Sequence, residues 1–371
     1  MRAVIPWLIW FICMGAAAQA TQANTSGGWM LGPFARLGDG PVLQPRANSV
    51  FPDPLSGKPV AWEALHTFNP AATVLDGKIA VLYRAEDSSG QMMVGGHTSR
   101  LGLATSSDGV HFDRRAAPVL YPARDTQAYY EAPGGVEDPR LVQREDGSYI
   151  VTYTQYARDR STYTIGIATS NDLVHWTKQG QAFAGTRYAE LQCKSAGILT
   201  EKRGDHVRAV KLLGKYWMYW GEIEIRLATS ADLIHWVPVE DRPGHPEILL
   251  SARPGRFDSG FPETGPPPLL TSAGIVMIYN AKNAEGAQGD PRLAPGTYSA
   301  GEALFSRDDP AKMLARSDQP FFRPERTYER TGQYAAGTTF AEGLVWFKGE
   351  WFLYYGAADS YVGVAAWRPG K

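Results

Sequence analysis

Five glycine-led runs, each reaching a tyrosine near its end, constrain this chain more than any other feature. GKIAVLY begins at Gly77, GSYIVTY at Gly147, GKYWMYW at Gly214, GIVMIYN at Gly274 and GEWFLYY at Gly349. Their aligned tyrosines, Tyr83, Tyr153, Tyr219, Tyr279 and Tyr354, stand 70, 66, 60 and 75 residues apart. A second element, ATSxDxxH followed by Phe or Trp, starts at Ala104, Ala168 and Ala228, spaced by 64 and 60. Self-similarity at such a period is the mark of a repeat architecture. The runs are rich in β-branched and aromatic residues, turn residues bound them, and no segment carries a long 3.6-residue periodicity. Four short strands per repeat, five times over, predict an all-β, five-bladed β-propeller occupying residues 21–371 as a single domain. A pair of β-sandwiches is the competing architecture, but it does not call for five matched copies.

Residues 1–20 read as a signal peptide: Arg2, an apolar stretch from Val4 to Met14, then Ala18-Gln19-Ala20 as a small-residue cleavage site. The stretch is shorter than the ~20 residues a membrane span needs. The mature protein is therefore expected in the periplasm or outside the cell, with no membrane partner. Cleavage removes Cys13 and leaves Cys193 alone, so no intrachain disulfide can form. It also removes Arg2, leaving 36 Lys and Arg against 38 Asp and Glu. Without a basic run, nucleic acid and anionic membranes are poor partners. The 11 Trp, 18 Tyr and 14 Phe suit strands, and they suit stacking on sugar rings equally well.

In a propeller the innermost strands line a shared channel. Just ahead of the five glycine-led runs stand Phe68-Asn69-Pro70, Glu137-Asp138-Pro139-Arg140, Lys194-Ser195, Pro262-Glu263-Thr264-Gly265-Pro266 and Phe340-Ala341-Glu342-Gly343. Each repeat thus offers a different polar group, and buried charge is costly unless paired. Asp138, Lys194, Glu263 and Glu342 accordingly predict a polar substrate site. Inverting cleavage of a glycosidic bond needs an acid for the leaving oxygen and an opposed group that activates the nucleophile. Asp138 is the candidate acid; the plain alternative for its EDPR segment is a local Asp–Arg pair fixing a turn. Glu222 and Glu263 are candidates for activating water, with exposed turn carboxylates as the plain alternative. Arg84 and Asp359 end strands on the same rim. His111, His175 and His235 recur at one place in three repeats and read as turn hydrogen bonds. No metal or cofactor motif stands out.

Taken together, GGVEDPRLV, FNPAATV, LYRAED, HTSRLGLATSSDG, KYWMYWGE, the GPPP after Glu263 and EGLVWFKGEWFLYYGAADS resemble glycoside hydrolase family 130, in order, from about Trp29 to Ala366. The resemblance implies a five-bladed propeller acting on β-mannosides with inversion, as a hydrolase or a phosphorylase. It implies that Asp138 is the general acid, acting through the sugar's 3-hydroxyl in the phosphorylases. It places Asn69, Arg84, Arg100 and Asp359 on the non-reducing mannose; Lys194, Glu342 and Tyr355 are further candidate substrate contacts. Phosphorylases of the family need a cationic cluster, for which Lys194 and Arg158 or Arg160 are the candidates. The hydrolytic branch resembles this chain through Glu222 and Glu263. Since an exported phosphorylase would lose its sugar phosphate, the main expectation is a β-mannosidase acting on β-1,2-linked manno-oligosaccharides. The alternatives are a β-mannoside phosphorylase, a glycosidase with another sugar preference and a non-catalytic glycan-binding propeller.

Overall fold

The structure is a computed structural model, and it describes residues 28–370. The leader expected at residues 1–20 and Cys13 lie outside the described residues. The described residues are all-β, built from antiparallel meanders, and among them are one helical turn at Ala128–Glu131 and three short 3-10 turns. The first meander runs His66–Leu75, Lys78–Glu86, Ser99–Ser106 and Asp113–Arg114. The second runs Gly135–Gln143, Tyr149–Ala157, Thr162–Ser170 and Trp176–Gln181. The third is shorter: Ala196–Ile198, Tyr216–Trp220, Ile225–Ser230 and Trp236–Pro238. In the fourth, Phe261–Thr264 and Leu269–Thr271 together pair with Gly274–Lys282, followed by Tyr298–Phe305 and Met313–Arg316. The fifth runs Thr339–Phe347, Glu350–Ala357 and Tyr361–Trp367, and the early strand Ala35–Arg36 closes its outer edge. All five glycine-led runs therefore become second strands.

One buried device recurs in four of the five meanders. A tyrosine of the second strand lies over a glycine of the third, which a side chain would fill. A Cβ at Gly102, Gly166, Gly301 or Gly363 would come within 2.8 Å of the ring of Tyr83, Tyr153, Tyr279 or Tyr355. The hydroxyl then donates to a buried carboxylate that precedes the meander: Tyr83 to Glu63 at 2.7 Å, Tyr153 to Glu131 at 2.8 Å, Tyr279 to Asp258 at 2.9 Å and Tyr355 to Glu329 at 2.7 Å. A cation from the outermost strand neutralises each acid: Arg114 on Glu63, Lys178 on Glu131, Arg316 on Asp258 and Arg36 on Glu329. The third meander lacks the acid, and its Tyr219 hydroxyl donates to the Pro310 carbonyl at 2.8 Å.

This device corrects two readings. In the fifth meander the equivalent tyrosine is Tyr355, not Tyr354, whose hydroxyl goes instead to the Gly109 carbonyl. Tyr355 is fully buried against Phe322 and bonded to Glu329 and Tyr328, so its side chain belongs to the core and not to a sugar site. Neighbouring side chains on a strand leave from opposite faces, so adjacent tyrosines cannot share one role.

The repeated ATSxDxxH segments are turns, as expected. Asp108 Oδ1 accepts the backbone N–H of Val110 and His111, both at 2.9 Å, and Oδ2 faces His111 Nδ1 at 2.7 Å. Asp172 with His175 and Asp232 with His235 repeat the arrangement, and all three imidazoles are exposed. Cys193 is a buried free thiol, pushed up to about 12 by its burial.

Contacts link each meander to the next. Asn69 reaches Asp138, Thr152 Oγ1 donates to the Ala196 carbonyl, Thr264 N–H donates to the Gly221 carbonyl and Asn280 Nδ2 donates to the Ala341 carbonyl. Between the fifth and the first, a Cβ at Gly343 would lie 2.9 Å from the Pro70 carbonyl oxygen.

Arg36 is the point at which the early strand, the fifth meander and one of the buried acids meet. Removing one partner of a buried pair costs about 3–5 kcal/mol, because the other charge is left without compensation. Arg36→Met should lose stability of that order in urea unfolding, and Arg36→Met/Glu329→Leu should recover most of it. Equal loss in the single and double variants would show that the Arg36 packing over Phe322, and not the charge, carries the contact.

Candidate active site

The inner strands do not run straight. The ladder shifts register at Asn69 in the first meander, across Asp138 and Pro139 in the second and at Glu342 in the fifth. Such bulges bend a strand and re-aim a side chain, and Pro70 and Pro139, which have no N–H to offer the ladder, sit within two of them. Asn69, Asp138, Ser195 and Asp359 all adopt left-handed backbone, with φ of 45°, 47°, 58° and 50°. A non-glycine residue held in this region costs of order ~1–3 kcal/mol and persists only where its surroundings impose it. All four are polar, and Asn69 and Asp138 are in direct contact.

Arg84 organises the first half of the cluster. Its guanidinium reaches Glu86 at 2.6 Å, Glu137 at 2.8 Å and Asp138 at 3.1 Å, donates to Ser99 Oγ at 3.1 Å, and lies over the Phe68 ring. Asn69 Nδ2 donates to Asp138 Oδ1 at 2.8 Å, and Asn69 Oδ1 has no partner among the described residues. Asn69 is held there because Gly356 opposes it: a Cβ at Gly356 would lie 2.1 Å from Asn69 Oδ1.

Arg140 organises the other half. It pairs with Glu342 at 2.7 Å and donates to the carbonyls of Asp138, Thr264 and Gly265. The plain reading of EDPR as a local Asp–Arg pair is therefore not what forms, since Arg140 touches only the Asp138 carbonyl and spends its charge on the fifth meander. Beside it, Lys194 bridges Glu222 at 3.3 Å and Glu263 at 3.4 Å, and Ser195 Oγ donates to Glu263. Lys194, Glu222, Tyr163, Trp220 and Arg226 line an open pocket of about 280 Å³.

Three cations, Arg84, Arg140 and Lys194, thus face seven carboxylates: Glu86, Glu137, Asp138, Glu222, Glu263, Glu342 and Asp359. The imbalance separates the acids. Burial alone would raise Asp138, but Arg84, Lys194, Arg140 and the Asn69 amide together hold it below the usual carboxylate range. Burial raises its neighbour Glu137 despite Arg84, and Asp138 adds to that rise. Burial likewise raises Glu263 despite Lys194, and raises Glu342 despite Arg140. Asp359 keeps an outer edge open to solvent, yet desolvation of its carboxyl, against the pull of Arg84, takes it to about 7. Asp138 therefore ionises first, and Glu137, Glu263, Glu342 and Asp359 give up their protons at higher pH than free carboxylates do.

Asn69, Arg84, Asp138, Lys194, Glu222, Glu263, Glu342 and Asp359 are brought into one field. Arg100 is not. Ser99 faces Glu86 and Glu137, so strand alternation sends Arg100 to the other face, where it pairs with Asp87 and Asp53. Arg158 and Arg160 spend donors on the backbone carbonyls of Gly96, His97, Tyr129 and Ala132. The sequence reading missed Glu86, which is buried and bound to Arg84, and Arg226 beside Lys194. Glu86 could have been found as the last residue of LYRAE, two positions from Arg84 and on the same strand face.

Comparisons with known proteins bear on this geometry. The profile of glycoside hydrolase family 130, described as beta-1,4-mannooligosaccharide phosphorylase, matches residues 46–370. A 1,2-beta-oligomannan phosphorylase of Thermoanaerobacter sp. (strain X514) is 31% identical over 89% of this chain and 95% of its own. One solved structure comes under the statement that the GH130 family of mannoside phosphorylases contains glycoside hydrolases that target β-1,2-mannosidic linkages in Candida mannan. It is 49% identical, with a TM-score of 0.90 over 93% of this chain and 96% of that one. A glycosyl hydrolase structure from Bacteroides ovatus is 48% identical, with a TM-score of 0.90 over 92% of this chain and 96% of that one. The expectation of a hydrolase as the enzyme class is corrected by the curated relatives, which are all named phosphorylases. The inference from export, that a sugar phosphate would be lost, carried too much weight in that expectation.

Gly356 supplies a test of the cluster's geometry. Gly356→Ala should push Asn69 off Asp138 and lower kcat/KM on a β-mannoside by ~10–10²-fold, the scale that a 1 Å misplacement produces. The urea midpoint should change little. Unchanged turnover would mean that Asn69 does not position the reacting sugar.

Proposed function

The chain belongs to glycoside hydrolase family 130, and on that premise we propose that it cleaves β-1,2-mannosidic bonds of manno-oligosaccharides by transferring the mannosyl group to inorganic phosphate with inversion. The observation that carries this reading is the pairing of a buried Asp138–Asn69–Arg84 cluster with a cation-bearing pocket at Lys194, in a chain 31% identical to a 1,2-beta-oligomannan phosphorylase. The five meanders, joined each to the next, support a closed five-bladed propeller with this cluster at its axis.

Asn69 Oδ1, Arg84 and Asp359 would hold the hydroxyls of the non-reducing mannose. Asp138 would direct a proton to the glycosidic oxygen as the C1–O bond breaks. Because Arg84 keeps Asp138 ionised, the sugar hydroxyl bonded to it would give its proton to the glycosidic oxygen and take one from Asp359, which the proton lost by the attacking hydrogen phosphate would restore. A phosphate oxygen would bond to C1 from the opposite face, so a β-mannoside would give α-mannose 1-phosphate and a shortened oligosaccharide. Lys194 would hold that phosphate together with Arg226, which pairs with Glu224 through Nη2 and whose buried Nε has no hydrogen-bond partner among the described residues. Glu263, whose burial raises it, would donate to a phosphate oxygen when it carries its proton, with Glu222 completing the wall.

Product analysis on β-1,2-mannobiose, with and without phosphate, tests the reading. Mannose 1-phosphate should appear only with phosphate, and Lys194→Ala should raise the KM for phosphate at least ~10-fold. Asp138→Asn should cost ~10²-fold or more in rate, the contribution of positioned proton transfer. Free mannose released equally in both tubes would overturn phosphate as the acceptor, and full activity in Asp138→Asn would overturn the role of Asp138.

A further inference from the structure

At one end of the first meander two histidines that the mannoside reading does not use stand against Glu86, the partner of Arg84. His66, at the start of the inner strand, pairs directly across from Glu86, the last residue of the second strand. Glu86 pairs across from Ser99, and His97 lies two residues before it. Adjacent strand ends thus bring two imidazoles and a carboxylate together, with one ligand atom of each within 4.8 Å of the others. Glu86 and His97 are buried, and His66 is half-buried.

Each group is prepared to ligate. His97 Nδ1 lies 2.9 Å from the Ser89 carbonyl oxygen, which can only accept, so Nδ1 carries the proton and the Nε2 lone pair is bare. His66 Nδ1 lies 2.9 Å from Ser360 Oγ, which can accept in the same way. Outer hydrogen bonds of this kind fix the tautomer of metal-binding histidines. Arg84 and Ser99 engage only Glu86 Oε1. The other oxygen, Oε2, is fully buried without a hydrogen-bond partner among the described residues, and such an acceptor is costly to leave empty.

Among the described residues Arg84 is the one cation in direct contact with Glu86, and it divides its guanidinium between Glu86, Glu137 and Asp138. We propose that His66, Glu86 and His97 form a binding site for a divalent transition metal of the zinc class, set directly behind Arg84. Two imidazoles and one carboxylate are a donor set that zinc takes, with a fourth position open to water. The ligand atoms would close to ~3.3 Å, the tetrahedral edge for metal bonds of about 2.0–2.1 Å. A metal there would pin Glu86, and through it the guanidinium that holds Glu137 and Asp138. The inference is independent of which acceptor the active site uses.

The test is a Zn²⁺ titration of the whole protein after treatment with chelator, followed by X-ray absorption of the loaded form. One equivalent should bind, with two imidazole nitrogens and a carboxylate oxygen in the shell. His97→Ala should weaken binding at least ~10-fold, whereas His175→Ala, which alters an exposed His–Asp turn, should leave it unchanged. Binding equal in wild type and His97→Ala, or no stoichiometric binding, would overturn the proposal. Should His97→Ala not fold, the wild-type spectrum alone decides, since a shell with fewer than two imidazoles is incompatible with the site.

Discussion

The architecture rests on a buried tyrosine whose hydroxyl meets a buried carboxylate, itself neutralised by a cation from the sheet's outermost strand. Tyr83–Glu63–Arg114, Tyr153–Glu131–Lys178, Tyr279–Asp258–Arg316 and Tyr355–Glu329–Arg36 each tie the segment leading into a meander to its second and fourth strands. None of the three groups tolerates burial alone, so each specifies the other two. The glycine beneath each ring lets the tyrosine lie flat between strands. Four such latches fix the blade-like units from their outer edges, which frees the inner strands to depart from regular pairing.

Those departures make the site. Bulges at Asn69, Asp138 and Glu342 aim short polar side chains inward, and Arg84, Arg140 and Lys194 face seven acids. Too little positive charge means that protons must be shared out, and position decides which acid keeps one. Arg84, Arg140 and Lys194 hold Asp138 low, whereas burial raises Glu263, Glu342 and Asp359. A sugar with its hydroxyls among such groups meets both donors and acceptors.

Much of this was legible in the sequence, for physical reasons. The glycine-led runs announce second strands because strand residues, turn glycine and buried tyrosine repeat together. The inner polar residues stood out because each copy carries a different one where packing alone would favour sameness. Partners distant in sequence did not show: Arg140 finds Glu342 across some 200 residues, and the local alternative beside Asp138 looked sufficient. Arg100 and Tyr355 were misassigned by face. Each belongs to a motif near the site, but alternation along the strand turns it into the protein. The aromatic–acid pairs Trp62-Glu63, Tyr130-Glu131, Phe257-Asp258 and Tyr328-Glu329 were a readable repeat that marks the latches.

The central claim is that Asp138 and the pocket at Lys194 act on opposite faces of one mannosyl group. The most direct measurement is proton NMR of the first sugar product formed from β-1,2-mannobiose in the presence of phosphate. The account predicts the α-anomer of mannose 1-phosphate from the first turnovers onward. A β-configured first product would contradict it, because donor and acceptor would then work from the same face.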